Sequence, residues 1–182
     1  MIACLGWGSL IWDPRELPIR RKWFEDGPLV PVEFSRQSRD GRLTLVVFKD
    51  ATPIRVLWAL MSESDLDWAQ DALGKREGIP QKRRKVLIGT WSVNQTSPHS
   101  ILGLSEWAGC RGITGVVWTA LEPCFNNENR TPSADEVVTY LCKLEGPTRN
   151  LAERYVRCTP RQVDTPYRRR IEASLGWTPW DC

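Results

Sequence analysis

The stretch that decides the fold runs from residue 29 to residue 60 and reads LVPVEFSRQSRDGRLTLVVFKDATPIRVLWAL. Its first segment carries apolar residues up to Phe34, and Asp40-Gly41 is a strong signal for a tight hairpin turn. Residues 42–48 and 54–60 are rich in the β-branched and aromatic residues that favour strands. Three strands on short connections predict an antiparallel meander.

Further strands and helices are predicted on both sides of this stretch: strands at 2–6, 86–93 and 115–119, and helices at 64–75, 134–144, 149–157 and 165–174. Gly74 indicates the end of the first helix, and Ser133 with Glu136 forms a capping box that begins the second. This order predicts one α+β domain over residues 1–182, with a mixed, mostly antiparallel, barrel-like sheet and flanking helices.

Bulk properties restrict the class of protein. The 182 residues carry a net charge of only +3, which does not by itself indicate a nucleic-acid or membrane partner. No apolar run approaches the roughly 18 residues that a membrane span needs. The N-terminus has no basic region before its short apolar stretch, so we expect a strand there, no membrane association and a cytoplasmic location.

The ligand-forming residues are few and dispersed. We expect the six cysteines to be reduced thiols, with Cys4 and Cys142 in the core. The single histidine is His99, and the short Cys/His spacings of a zinc site are absent, so no metal and no cofactor are predicted. Proton transfer near neutral pH must then use His99 or a carboxylate, Lys, Tyr or Cys with a shifted pKa.

The first candidate site is the turn Gly6-Trp7-Gly8-Ser9-Leu10. Glycines allow the backbone to approach a ligand closely, and successive N–H groups after a strand can bind a carboxylate. The alternative is an ordinary tight turn, because a lone glycine-rich turn is a weak signal.

The second candidate is Glu77, just past the predicted helix and between Arg76 and Gly78. A carboxylate in an apolar pocket has a raised pKa and can act as a base near neutral pH. The alternative is a surface glutamate that pairs with a neighbouring Arg or Lys.

Two basic runs are the third candidate: a predicted turn at residues 82–85, and residues 168–170. Together with ten tryptophans they could bind single-stranded nucleic acid through phosphate contacts and stacking. A solvated turn and a solvated helix face are the favoured interpretation, because the overall charge is only mildly basic.

In sequence order, three segments resemble the ChaC-type γ-glutamylcyclotransferases. Residues 5–12, LGWGSLIW, are similar to the family's "FGYGSLIW" opening, although Trp7 replaces its tyrosine. Residues 58–60 and 73–77 are similar to "GVAY … L..RE", and residues 146–155 to "GPSGRN.EY". The stretch after Glu77 is basic where the family has Gly-Tyr, and residues 94–132 have no counterpart.

The resemblance implies a γ-glutamylcyclotransferase-like fold and an enzyme that cyclises a γ-glutamyl compound to 5-oxoproline with release of an amine or peptide. It implies that Glu77 is the general acid/base. It also implies that the substrate is bound by Leu5, Gly6, Trp7, Gly8, Ser9 and Leu10. Two alternatives stay open: an inactive protein of the same fold that binds a γ-glutamyl or amino-acid ligand, and the nucleic-acid binder. The released amine and the oligomeric state are not specified by the sequence.

Overall fold

The computed structural model describes residues 1–20 and 22–182 of the chain. Helices and sheets are both present, so the predicted α+β class is confirmed. No helix among these residues is long and apolar enough to cross a bilayer. The described elements follow in this order: β1 (Ile2–Gly6), β2 (Leu29–Gln37), β3 (Leu43–Val47), β4 (Pro53–Arg55), β5 (Leu57–Leu60), α1 (Leu66–Arg76), α2 (Gln81–Leu87), β6 (Ile88–Ser92), α3 (Leu104–Gly109), β7 (Gly115–Thr119), α4 (Ala134–Cys142), α5 (Gly146–Cys158) and α6 (Pro166–Leu175).

Two compact units divide the chain, and each is assembled from separate stretches of sequence. The first unit consists of Met1–Gly6, Asp13–Val30 and Arg55–Leu121. The second unit consists of Trp7–Trp12, Pro31–Ile54 and Glu122–Cys182. That residues 1–182 form a single domain stays a prediction.

A four-stranded sheet in the order β5-β1-β7-β6 forms the centre of the first unit. Strand β1 pairs antiparallel with β5 and parallel with β7, while β6 pairs antiparallel with β7, so the sheet is mixed. All five residues of β1 are buried, as expected of an inner strand that is covered on both faces.

A three-stranded sheet in the order β3-β2-β4 is formed by strands whose residues belong mostly to the second unit. The predicted hairpin is confirmed: β2 and β3 pair antiparallel, and Gly41 has the positive φ of +80° that a tight turn requires. Each sheet has two end strands, so neither closes on itself, and the barrel-like closure expected from the sequence is not found within either sheet.

The predicted third strand of the meander, residues 54–60, is wrong in its pairing. Its first part lies in β4, beside β2, and its second part lies in β5, beside β1. The change occurs at Val56 and Leu57, two consecutive residues that are both buried. Strand β4 ends at Arg55 and β5 begins at Leu57, so Val56 is the residue at which the chain passes from one sheet to the other.

Helix α1 is longer than predicted at its C-terminal end. It begins after Asp65, whose carboxylate accepts the N–H of Trp68 at 2.7 Å, and it continues past Gly74 to Arg76. Gly74 lies inside the helix because the aliphatic part of Arg84 lies 2.6 Å from where its Cβ would stand. A close approach between two helices, not a helix end, explains this glycine.

The predicted basic turn at residues 82–85 is part of α2, which begins after Pro80. Lysine and arginine are good helix formers, and Arg84 fixes α2 to α1 by an ion pair with Asp71. The predicted strand at 86–93 therefore begins two residues later, at Ile88.

The later helices follow the sequence closely. The capping box of Ser133 and Glu136 is present at the start of α4. Helix α5 begins earlier than predicted, at Gly146, with Pro147 in its first turn, where proline's missing N–H costs nothing. Within 94–111, which the sequence indicates as irregular, residues 104–109 form α3.

The expectation that all cysteines are reduced is wrong for Cys158 and Cys182, which form a disulfide across a separation of 24 residues. The C-terminal segment also bonds to α5, where the Arg157 carbonyl accepts the N–H of Trp180 at 2.7 Å. Cys4 is buried as predicted, whereas Cys142 is exposed because it ends the amphipathic helix α4 on its outer side.

Candidate functional site

Glu77 lies at the C-terminal end of α1 in the first unit. Its N–H still donates to the Leu73 carbonyl at 3.0 Å, so the backbone of the helix fixes its position. Gly78 follows with a φ of +66°, a left-handed conformation that turns the chain away after the helix. The Glu77 side chain is 20% exposed, which leaves its carboxylate partly accessible.

Arg76 is the partner of that carboxylate. Its Nη1 donates to Glu77 Oε1 at 2.7 Å, and only 5% of the arginine side chain is exposed. Its Nη2 donates to the carbonyl of Asp13, while its own carbonyl accepts a long hydrogen bond of 3.4 Å from Arg15. The guanidinium is therefore held by backbone on one side and orients the Glu77 carboxylate on the other.

The thiol of Cys4 on β1 lies close enough to this pair for both residues to affect its pKa. Burial raises the pKa of its thiol strongly, the Glu77 charge raises it further, and the Arg76 charge opposes the rise. Cys4 stays protonated at neutral pH and is not an activated nucleophile.

The predicted binding segment is divided between the two units. Leu5 and Gly6 end β1 in the first unit, where they pair with Trp58 and Leu57 of β5. Both residues are buried strand residues and not part of an open loop. Trp7, Gly8, Ser9 and Leu10 belong to the second unit.

Residues 7–12 form a turn that is anchored inside the second unit. The N–H of Ile11 donates to the Gly8 carbonyl at 3.0 Å, and the indole of Trp7 donates to the Leu45 carbonyl at 3.3 Å. Trp7 and Leu10 are 3% and 5% exposed, so these two side chains are core residues. Within residues 7–10, a ligand would therefore contact backbone or Ser9.

Tyr155 on α5 is a residue of this turn region to which the sequence analysis assigned no role. Its hydroxyl occupies the space of a Cβ at Gly8 and accepts the N–H of Leu45 at 3.3 Å. The edge of its ring meets Trp12, with 5.5 Å between ring centroids. The helical spacing of Ala152, Tyr155 and Val156, which are all buried, is the signal that could have predicted its inward position.

A cavity of about 510 Å³ lies in the first unit, beside α1. Its walls are residues 15–18 and one face of α1, formed by Trp68, Asp71, Ala72, Lys75 and Arg76. Because Arg76 also holds Glu77, the cavity and the carboxylate share one side chain.

The two basic runs differ in their surroundings. In α2, Lys82, Arg83 and Lys85 are exposed. At the other run, Arg168 is only 1% exposed and donates to backbone carbonyls and Glu172, while Arg169 and Arg170 pair with Asp164 and Asp135. Residues 168–170 therefore stabilise α6 and its surroundings, in line with the favoured interpretation of this run.

Among the described residues there is no group of three or more His, Cys, Asp or Glu side chains that could hold a metal ion. A comparison of the chain with protein-family models, with curated proteins and with solved structures found no match.

Proposed function

We propose that the protein is a γ-glutamylcyclotransferase-like enzyme that converts a γ-glutamyl compound to 5-oxoproline and releases an amine or peptide. The proposal includes the finer expectations from the sequence: a γ-glutamylcyclotransferase-like fold, which the resemblance implies, a barrel-like sheet and a cytoplasmic location. It requires no metal or organic cofactor.

The observation that carries the proposal is the oriented carboxylate of Glu77. A general acid/base must be accessible and fixed in direction. Glu77 is one-fifth exposed, ends a helix, and is held at 2.7 Å by an arginine that is itself bonded to backbone. Such support by surrounding residues is typical of groups that transfer protons at a site.

In the proposed reaction, Glu77 removes a proton from the α-ammonium group of the γ-glutamyl moiety. The free amine attacks the γ-carbonyl carbon, a five-membered ring closes, and the bond to the leaving amine breaks. Glu77 returns this proton to the leaving nitrogen, which also takes up the second proton that the ring nitrogen loses on cyclisation, so the amine leaves as an ammonium ion and the net reaction needs no other reactant. Nucleophile and electrophile belong to one molecule, so holding the substrate in a folded conformation supplies much of the acceleration.

The turn that contains Gly8 and Ser9 is proposed to bind the α-carboxylate of the substrate through backbone N–H groups. Its anchoring by Trp7, Leu45 and Tyr155 supports this role, because a rigid backbone binds an anion without an ordering cost.

The experiment is incubation with a panel of γ-glutamyl compounds that includes glutathione, with 5-oxoproline detected by mass spectrometry. We expect product from the wild-type protein, and a rate about 10² to 10⁴ lower for Glu77→Gln, because the amide cannot accept the proton. Glu63→Gln is a matched control at an exposed glutamate. If Glu77→Gln retains the wild-type rate, the assignment of the base is wrong.

A second candidate is a binding protein of the same fold for γ-glutamyl or amino-acid ligands. The Arg76–Glu77 ion pair favours it, because a carboxylate held at 2.7 Å by a guanidinium is already engaged before any substrate binds. Saturable binding of a γ-glutamyl compound without any 5-oxoproline would support this candidate over the enzyme.

A further inference from the structure

One face of α1 forms a wall of the cavity in the first unit. Trp68, Asp71, Ala72, Lys75 and Arg76 recur at the spacing that places residues on one side of a helix. Trp68 is 42% exposed, so part of its indole faces open space. An aromatic surface of this kind binds flat apolar groups and cations.

The opposite wall is a short segment with an unusual backbone. Arg15 has a φ of +53°, in the left-handed region that a residue with a long side chain rarely adopts. Strain of this kind is often found at sites that hold a ligand. The Arg15 side chain is 62% exposed; its Nε donates to Asp13 at 3.3 Å and its Nη1 to the Arg76 carbonyl at 3.4 Å, and its other N–H groups face solvent.

Side chains of both charges line the cavity, and they differ in how many of their charged atoms already have an ion-pair partner. Asp71 pairs with Lys75 at 3.1 Å and with Arg84, so both of its oxygens are occupied. Arg15 and Lys75 retain free N–H groups. Glu16 is exposed, and no cation of the described part of the chain lies within ion-pair distance of it.

We propose that this cavity binds a small aromatic zwitterion, an aromatic α-amino acid or a short peptide that contains one. The ring lies on Trp68, the carboxylate bonds to Arg15 and Lys75, and the ammonium group bonds to Glu16. The volume of about 510 Å³ is within the range of small-molecule sites. The inference does not depend on the cyclotransferase proposal, but under that proposal the same cavity would receive the released amine, because Arg76 lines it and holds Glu77.

The test compares L-phenylalanine with three probes that each lack one of its features. These probes are 3-phenylpropanoate, which has no ammonium group, phenethylamine, which has no carboxylate, and L-alanine, which has no ring. Binding to the full chain is measured by saturation-transfer NMR and titration calorimetry at low salt. We expect L-phenylalanine to bind most tightly and each of the others about 5-fold or more weakly, from typical values for aromatic contacts and exposed ion pairs.

Matched variants assign each contact. Glu16→Gln should remove the preference for L-phenylalanine over 3-phenylpropanoate, and Arg15→Gln should reduce its preference over phenethylamine, since Lys75 remains. Trp68→Ala should bring L-phenylalanine to the level of L-alanine. Trp180→Ala, at another exposed tryptophan, is the control and should change nothing.

These measurements separate the inference from the proposed enzyme. Selective binding of L-phenylalanine that depends on Trp68 and Glu16 supports the cavity site, whether or not 5-oxoproline is ever formed. Absence of L-phenylalanine binding, equal binding of all four probes, or unchanged binding to folded Trp68→Ala overturns it, even if Glu77 proves to be catalytic.

Discussion

The hydroxyl oxygen of Tyr155 lies within clashing distance of the place where a Cβ atom of residue 8 would stand. Gly8 does not have a positive φ, so this position needs a glycine for space and not for backbone conformation. The same hydroxyl accepts the N–H of Leu45, which prevents the ring from moving aside without losing a buried hydrogen bond. The glycine-rich turn thus fits against a fixed tyrosine.

Gly8→Ala should therefore destabilise the protein by about 1–3 kcal/mol, the usual cost of forcing extra atoms into a packed site. The measurement is urea unfolding followed by tryptophan fluorescence. Combining Gly8→Ala with Tyr155→Phe should recover part of the loss, because the clashing oxygen is then absent.

Gly109→Ala is the control for that experiment, since nothing lies within 4 Å of its added Cβ and the residue ends helix α3. It should be neutral or slightly stabilising, because alanine favours helices. Equal unfolding midpoints for Gly8→Ala and the wild-type protein would show that the turn is loose and that Tyr155 does not restrict it.

Arg76→Gln should reduce 5-oxoproline formation if the proposed function is correct. Without the guanidinium, the Glu77 carboxylate loses the 2.7 Å contact that orients it, and the Asp13 carbonyl loses a donor. We expect a lower kcat with a smaller change in KM, because the effect is on the reacting group. Arg83→Gln removes the same charge from an exposed position in α2 and should retain the wild-type rate.

The disulfide should be a major contributor to stability. In the chain-entropy view, a bond that closes a loop of this length stabilises the folded state by about 3 kcal/mol. Cys182→Ser should lower the unfolding free energy by about that amount, and dithiothreitol should then have little further effect. Cys110→Ser, at an exposed free thiol, is the control. A count of reactive thiols in the denatured, unreduced protein checks the bond. Four are expected, because two of the six cysteines are paired, and six would contradict the disulfide.

Local patterns predicted the local structure well. The strand at residues 2–6, the hairpin at Asp40-Gly41 and the capping box at Ser133 each depend on residues that are neighbours in sequence. The failures depend on distant contacts. A glycine is common at the end of a helix, so Gly74 predicted a helix end. In the structure the side chain of Arg84, from the next helix, packs against Gly74, and the hydrophobic periodicity of the sequence does not predict that contact.

The candidate site shows the same limit. The position of Glu77 just after a helix could be predicted, and pairing with a neighbouring arginine was one of the two interpretations of the sequence. The carbonyl of Asp13, which holds Arg76 across 63 residues, could not be predicted, because a backbone acceptor has no sequence signature. The cavity beside Trp68 was missed for the same reason, since its second wall comes from residues 15–18.

Glu136 provides a test of acid stability with a defined sign. Hydrogen bonds from Arg130 and from the N–H of Ser133 lower the pKa of Glu136 from 4.5 to about 2. A carboxylate with a lowered pKa stabilises the folded state above its unfolded value, and this contribution is lost as the pH falls towards the folded value. Glu136→Gln keeps an oxygen for the Ser133 N–H, bonded at 2.8 Å, but removes the charge. We therefore expect the variant to be less stable than the wild-type protein at pH 7 and the difference to vanish near pH 2, as measured by urea unfolding across this range.

Because the pair is exposed, the difference should also shrink in about 1 M salt. A difference that stays constant from pH 7 to pH 2 would mean that the substitution acts through packing and not through charge.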